Sequence, residues 1–173
     1  MKTFVLGIIF LGFTNLMCAQ NDVAVLDMNT NMYSYDDINN ELALNHEYIN
    51  SISEISISKK ILKLQNVIAN YDIKTSKVYR SKSNTTYTVK FTEGENRLNA
   101  IYDRNGLLLS SQEHYQSIKL PYELSSNLIK ENPGWCISQV FCNIQYNKDV
   151  NAEIIYKVVL DNGKKKKTVK INA

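Results

Sequence analysis

The amino-acid sequence predicts an α+β protein: two tandem α-β-β-β(-β) units forming an antiparallel sheet, with two helices packed on one face. Three observations point there. The stretch Tyr87 to Gly94, Y-T-V-K-F-T-E-G, recurs 69 residues later as Y-K-V-V-L-D-N-G, Tyr156 to Gly163, with apolar residues alternating in both copies and a glycine closing each. Such alternation into a glycine turn is the pattern of a half-buried strand entering a hairpin. Each copy is preceded by one amphipathic helical stretch, and Gly94, Gly106, Gly134 and Gly163 all fall in expected turns.

The chain has 173 residues, of which 44% are hydrophobic and 21% charged, enough for one sizeable core and ordinary for a globular domain. Residues 1–19 are expected to be a signal peptide. Lys2 supplies the positive start, Phe4 to Phe13 is almost wholly apolar, and Met17-Cys18-Ala19 ends in a small residue suited to cleavage. The runner-up is a lipid anchor on Cys18, which bulky Met17 disfavours. The protein is therefore expected to be exported, periplasmic or secreted, and no later apolar run is long enough to span a membrane.

Residues 20–56 read as an acidic, flexible or loosely docked arm. Gln20 to Ser58 holds seven acids, Asp22, Asp27, Asp36, Asp37, Glu41, Glu47 and Glu54, and neither Lys nor Arg. So polar a segment has little apolar surface to offset its ordering entropy, although Val23, Val25 and Leu26, and then Tyr48 and Ile49, suit short edge strands. Asp27 to Asn31 imitates the start of an EF-hand loop, but Met32 stands where glycine is needed and Ile38 where Glu is needed, so that reading is rejected.

The globular part is residues 57–173, with the first unit over 57–116 and the second over 117–173. Ile57, Ile61, Leu64 and Ile68 form one stripe of a helix that Ser56 or Ser58 would cap. Strands are expected around Lys77 to Arg80, over Thr85 to Phe91, over Arg97 to Tyr102 and from Leu107 to about Tyr115. Asp103-Arg104-Asn105-Gly106 marks a hairpin, because Asn-Gly accepts positive φ cheaply. Leu120-Pro121 opens the second helix, striped by Leu120, Leu124 and Leu128, and Asn132-Pro133-Gly134 stops it. Strands then follow over Trp135 to Tyr146, Ile154 to Leu160 and Lys164 to Ile171, and the second copy lacks a fourth strand. Cys136 and Cys142, six apart on one strand, would lie about 20 Å from each other, too far for a disulfide. Their even spacing puts both on the face of Val140 and Ile144 as small buried hydrophobes.

These residues resemble a known family. Tyr87-x-Val89-x-Phe91, Ile101-Tyr102-Asp103-x-x-Gly106, Leu120-Pro121, Pro133-Gly134-Trp135 and Tyr156-x-Val158, in that order, resemble the PepSY-like group of small exported bacterial proteins, related in fold to the β-lactamase inhibitor protein. The resemblance covers roughly 57–171. It implies tandem helix-plus-sheet units, an exported location and a role in binding or inhibiting other proteins, peptidases being the usual suggestion. It supplies no catalytic residues.

A search for chemistry turns up little. His46 and His114 read as solvated side chains, the turn glycines leave none for a phosphate loop, and no G-x-S-x-G, Walker or Rossmann pattern occurs. The Asp36-Asp37 pair lies in the polar arm, without the rigid support a hydrolase site needs. No catalytic residue, cofactor or metal is therefore expected. Lys164 to Lys167 with Lys170 reads as a solvated edge strand, against which the acidic arm would fold back; nucleic acid is not an expected partner. Eleven tyrosines are the remaining excess. Most suit sheet packing, and the candidate partner-binding aromatics are Tyr79, Tyr87, Tyr115, Trp135, Tyr146 and Tyr156. The expected function is a non-enzymatic exported binding or inhibitory module, engaging a protein or peptide of the cell envelope through the open face of its sheet. The alternative is a periplasmic small-ligand-binding protein, with a hydrolase behind it.

Overall fold

The computed structural model of the protein describes residues 22–27, 44–53, 58–81 and 85–173. Its elements run β1 (Asp22–Asp27), α1 (His46–Ser53), α2 (Lys59–Asn70), β2 (Tyr87–Glu93), β3 (Asn96–Tyr102), β4 (Leu108–Gln116), α3 (Tyr122–Glu131), β5 (Cys136–Asn147), β6 (Val150–Asp161) and β7 (Lys166–Asn172). The class is α+β. Seven strands form one sheet in sequence order, parallel between β1 and β2 and antiparallel at every other pairing.

Alternation decides what each strand buries. In β2 the residues Tyr87, Val89 and Phe91 are fully buried, and so are Tyr156, Val158 and Leu160 in β6. The two hairpins built on these strands share a register: Tyr87 lies opposite Tyr102 and Val89 opposite Ala100, while Tyr156 lies opposite Ile171 and Val158 opposite Val169. The 69-residue offset of the sequence thus reappears in the ladders. Positive φ is needed where the β3–β4 hairpin turns at Gly106, at +92°, and there Asp103 Oδ1 accepts from the N–H groups of Asn105 and Leu107, 2.8 Å each.

The helices close the core through their apolar stripes and a few hydrogen bonds. Ile61, Leu64 and Ile68 of α2 are buried, and Tyr102 of β3 donates from its hydroxyl to the carbonyl of Ile68 at 2.8 Å. Ser58 stands at the N-cap of α2 but makes no side-chain cap bond; Ile57 lies outside the described residues. Pro121 sits at the N-cap of α3 rather than inside it, and Asn132 is the C-cap. Leu120 and Leu128 join the same core cluster.

Within the segment 20–56, residues 22–27 pair parallel with β2 at the sheet edge, as the Val23 to Leu26 pattern suggested, and one expectation is corrected. Residues 46–53 are a helix, not an edge strand, and Tyr48, Ile49 and Ile52 are buried. Tyr48, Ile49 and Ile52 fall at i, i+1 and i+4, which makes one helical stripe, and burying each such side chain is worth about 1.5–3 kcal/mol. An isolated helix of eight residues is marginal, so packing holds it. The rest of the arm, and residues 1–19, lie outside the described residues.

The expected strand at 77–80 is absent. A single turn of 3-10 helix at Ile73–Thr75 buries Ile73, and the Tyr87 hydroxyl then grips Arg80, accepting from its N–H at 3.1 Å and donating to its carbonyl at 3.0 Å. A backbone so held has no ladder partner to seek. Cys136 is likewise corrected: it is exposed, while Cys142 is buried. A bulge between Ile137 and Gln139 adds one residue to β5, so the even spacing no longer means a shared face.

Asn45 ties the N-terminal helix to the rest. Its side-chain amide donates to the carbonyls of Ala69 at 3.1 Å and Gly106 at 3.2 Å, and its oxygen accepts from the Leu108 N–H at 2.7 Å. Asn45 is 3% exposed, so truncating its side chain takes a partner from the Gly106 carbonyl and the Leu108 N–H, while the Ala69 carbonyl keeps the bond from the Asn45 backbone N–H at 3.2 Å. Asn45→Ala should lower the unfolding free energy by about 2–3 kcal/mol with an unchanged m-value, measured by urea denaturation. A loss below about 0.5 kcal/mol would show that water replaces the clip.

Candidate functional site

Residues that alternate with the core make a second, exposed face. Pairing places Lys90, Asn99, Gln112, Gln145 and Glu153 in one row from β2 to β6, each directly opposite the next. A parallel row holds Thr92, Arg97, His114, Asn143 and Ile155. Together Arg97, Asn99, Gln112, His114, Asn143, Gln145, Glu153 and Ile155 line an open hollow of about 330 Å³. Two of these side chains are fixed. His114 Nδ1 lies 2.7 Å from Asn143 Oδ1, with its ring stacked on Phe141 at 6.1 Å between centroids. Arg97 donates from Nη1 to the carbonyls of Gly94 and Asn96, which anchors one edge of the guanidinium and leaves other N–H groups facing the hollow.

Behind this face, inside the core, stands a polar constellation the sequence reading missed. Glu113 is 3% exposed and its carboxylate accepts four hydrogen bonds: from the hydroxyls of Tyr48 at 2.5 Å, Tyr115 at 2.6 Å and Ser111 at 2.6 Å, and from the amide of Gln65 at 3.1 Å. Burial pushes Glu113 up, and the four donors, Ser111 first, pull it partly back. Burial, and then the Glu113 charge, hold the Tyr48 and Tyr115 hydroxyls well above the ordinary tyrosine range, so both keep their protons and remain donors. The signal was present in parity: Ser111, Glu113 and Tyr115 share a face, and a buried Tyr115 implies a buried Glu113. Cys142, nearby on β5, is pushed by burial up to about 12 and is no nucleophile at neutral pH.

The aromatic candidates do not assemble on the exposed face. Tyr87, Tyr115, Tyr146 and Tyr156 are buried, each on the core side of its strand, because their parity is that of Val89, Val140, Ile144 and Val158. They are packing residues, and the expectation that they meet a partner is corrected. Tyr79 is half-buried, its ring 5.6 Å from that of Tyr87, and its hydroxyl donates to the Arg104 carbonyl at 3.3 Å. Trp135 is half-buried beneath Lys167, whose Nζ lies 4.5 Å from the ring centroid and donates to Asn132 Oδ1 at 2.6 Å.

Of the lysine run, Lys166, Lys167 and Lys170 lie on β7, at the end of the sheet opposite β1, and Lys164 and Lys165 lie in the turn before it, so the strand starts two residues later than expected. Among the described residues Lys166 pairs with Asp161 at 3.6 Å, and no ion pair joins the run to the N-terminal segment. The arm's fold-back onto these lysines is therefore corrected for residues 22–27. Val89 and Phe91 lie opposite Ala24 and Leu26, and that apolar match fixes β1 at the far edge. Of the histidines, His46 is exposed on α1 and His114 half-buried on the exposed face. Among the described residues no three His, Cys, Asp or Glu side chains converge as metal ligands, and no helix is long and apolar enough to cross a membrane.

No protein-family model matches the chain, and comparisons with curated proteins and with solved structures return no match.

Glu113 gives the structure a pH signature. Its folded-state pKa lies above the unfolded value of about 4.3, so the native state binds more protons between the two values. Its contribution to stability is full below about pH 4.3 and is lost as pH rises through the folded value. Urea titrations of wild type from about pH 4.5 to 7 should show this fall, and Glu113→Gln should remove it from the slope. Equal slopes in both proteins would mean that the four donors hold Glu113 at its ordinary value.

Proposed function

We propose that the protein is a non-enzymatic, exported binding module that engages a protein or peptide through the exposed face of its sheet. The observation that carries this reading is the polar hollow of about 330 Å³ on that face, rimmed by Asn99, Gln112, Gln145 and Glu153, whose side chains have no hydrogen-bond partner among the described residues. A folded domain satisfies its buried polar groups and leaves spare capacity where a second molecule can use it. Glu113 and its donors, the densest polar group, are saturated with one another and too deeply buried to meet a substrate.

We further infer two tandem α-β-β-β units, α2 to β4 and α3 to β7, whose helices share one face of the sheet. Support comes from the common hairpin register and from the joint core of residues from all three helices. In this reading β1 fills the position beside β2 that β5 takes beside β6. That arrangement is similar to what the PepSY-like resemblance implies, and the Lys2 and Phe4 to Phe13 pattern supports export. The small-ligand alternative has less support, since the space beside α1, lined by Asn45, Tyr48, Leu108 and Tyr146, is only about 60 Å³.

A photo-crosslinking residue at position 112, on the exposed face, should capture a partner from cell-envelope extract of the source organism far more efficiently than one at position 130, on α3. Equal yields from the two positions would sink the proposal.

A further inference from the structure

One row of the exposed face differs from ordinary surface polarity. Asn99, Gln112, Gln145 and Glu153 lie directly opposite one another across four strands, and Lys90 extends the row onto β2. The three amides are exposed, as are both charged ends, and none of the five side chains has a hydrogen-bond or ion-pair partner among the described residues. Charge marks the two ends of the row's polar part: Lys90, with Arg97 beside it in the next row, stands at one end, where exposed Val25 of β1 lies opposite Lys90, and Glu153 stands at the other.

We propose that this row seats a short extended peptide with free termini, laid across the strands, its carboxylate at Lys90 and Arg97 and its ammonium group at Glu153. The inference rests on the exposed face being the binding face. Within the sheet the strands spend their own N–H and C=O groups on the ladder, so recognition on a face falls to side chains. Asn and Gln side chains carry a carbonyl acceptor and an N–H donor side by side, the complement of a peptide group. Neutral amides in the middle select an uncharged main chain, and opposite charges at the two ends select a zwitterion. A polyanion would be repelled at Glu153 and a polycation at Lys90 and Arg97. Length follows from strand spacing: four inter-strand steps of about 4.8 Å separate the ends by roughly 19 Å, and an extended chain rising about 3.4 Å per residue covers that in about six residues.

The test is a titration of the isotope-labelled full protein with an uncapped Ser/Ala hexapeptide, with its N-acetylated and C-amidated forms, and with a neutral hexasaccharide, followed by NMR. The uncapped peptide should shift the side-chain amides of Asn99, Gln112 and Gln145. N-acetylation should weaken binding about tenfold, and Glu153→Gln should weaken the uncapped peptide by the same factor while leaving the acetylated one unaffected. C-amidation and Lys90→Gln should behave as the matching pair at the other end. Equal affinity for capped and uncapped peptides, with shifts still on this row, overturns terminus recognition and leaves the exposed face as a binding surface. Preference for the hexasaccharide, or no shift in the row with any peptide, overturns the peptide itself. If position 112 also fails to crosslink a partner, the broader reading falls with it.

Discussion

Cross-strand pairing is the constraint on which everything else in this protein depends. Once β4 is bonded to β3 on one side and β5 on the other, its backbone is committed, and each side chain has only two directions left. Ser111, Glu113 and Tyr115 go inward; Gln112 and His114 go outward. A slip of one residue would exchange the two sets, exposing the core of β4 and burying an amide and an imidazole without partners. The apolar rows of β2, β3, β5 and β6 make that slip prohibitive, and so they fix the exposed face as firmly as the buried one.

The two faces treat polar groups in opposite ways. Inside, Asn45 and Glu113 are each surrounded by as many partners as they can use, which offsets much of the cost of burying them. Among the described residues only neutral donors face Glu113, so dipoles support its charge and burial still wins, lifting its pKa. Outside, the side chains of Asn99, Gln112 and Gln145 are exposed and have no partner among the described residues. The interior polar groups specify how helices and sheet meet; the exterior ones are free for other uses.

Much of this was legible in the sequence because period-two alternation is a strong local signal. The hairpin strands from Tyr87 to Tyr115 and from Cys136 to Ile171, the helix over Lys59–Asn70 and the stop at Asn132 were all readable. What failed were features set by something other than local pattern. Composition argued for a loose arm at 44–53, but three apolar residues at helical spacing outweigh several polar ones once a sheet is there to cover. The β5 bulge reversed the parity of Cys136, and bulges leave no mark in a run such as Cys136-Ile137-Ser138-Gln139. Sheet packing accounts for most tyrosines in the sequence too, and the four candidate interface residues Tyr87, Tyr115, Tyr146 and Tyr156 join them because their spacing is that of the core. The exposed amide row was invisible for a different reason: its members come from four strands, and only the registers bring them into line.

The bonds made by Asn45 and Tyr48 reach 61 and 65 residues along the chain, to Gly106 and Glu113. A ribosome delivers α1 before any of its partners exist, so that helix must wait for the β3–β4 hairpin to be made before it can settle. Closing loops of that length is slow compared with zipping a hairpin. This early segment is thus among the last to find its place, and until it does the carboxylate of Glu113 lacks the Tyr48 hydroxyl. A chain built in this way keeps its first helix open to solvent until the hairpin that receives it is complete.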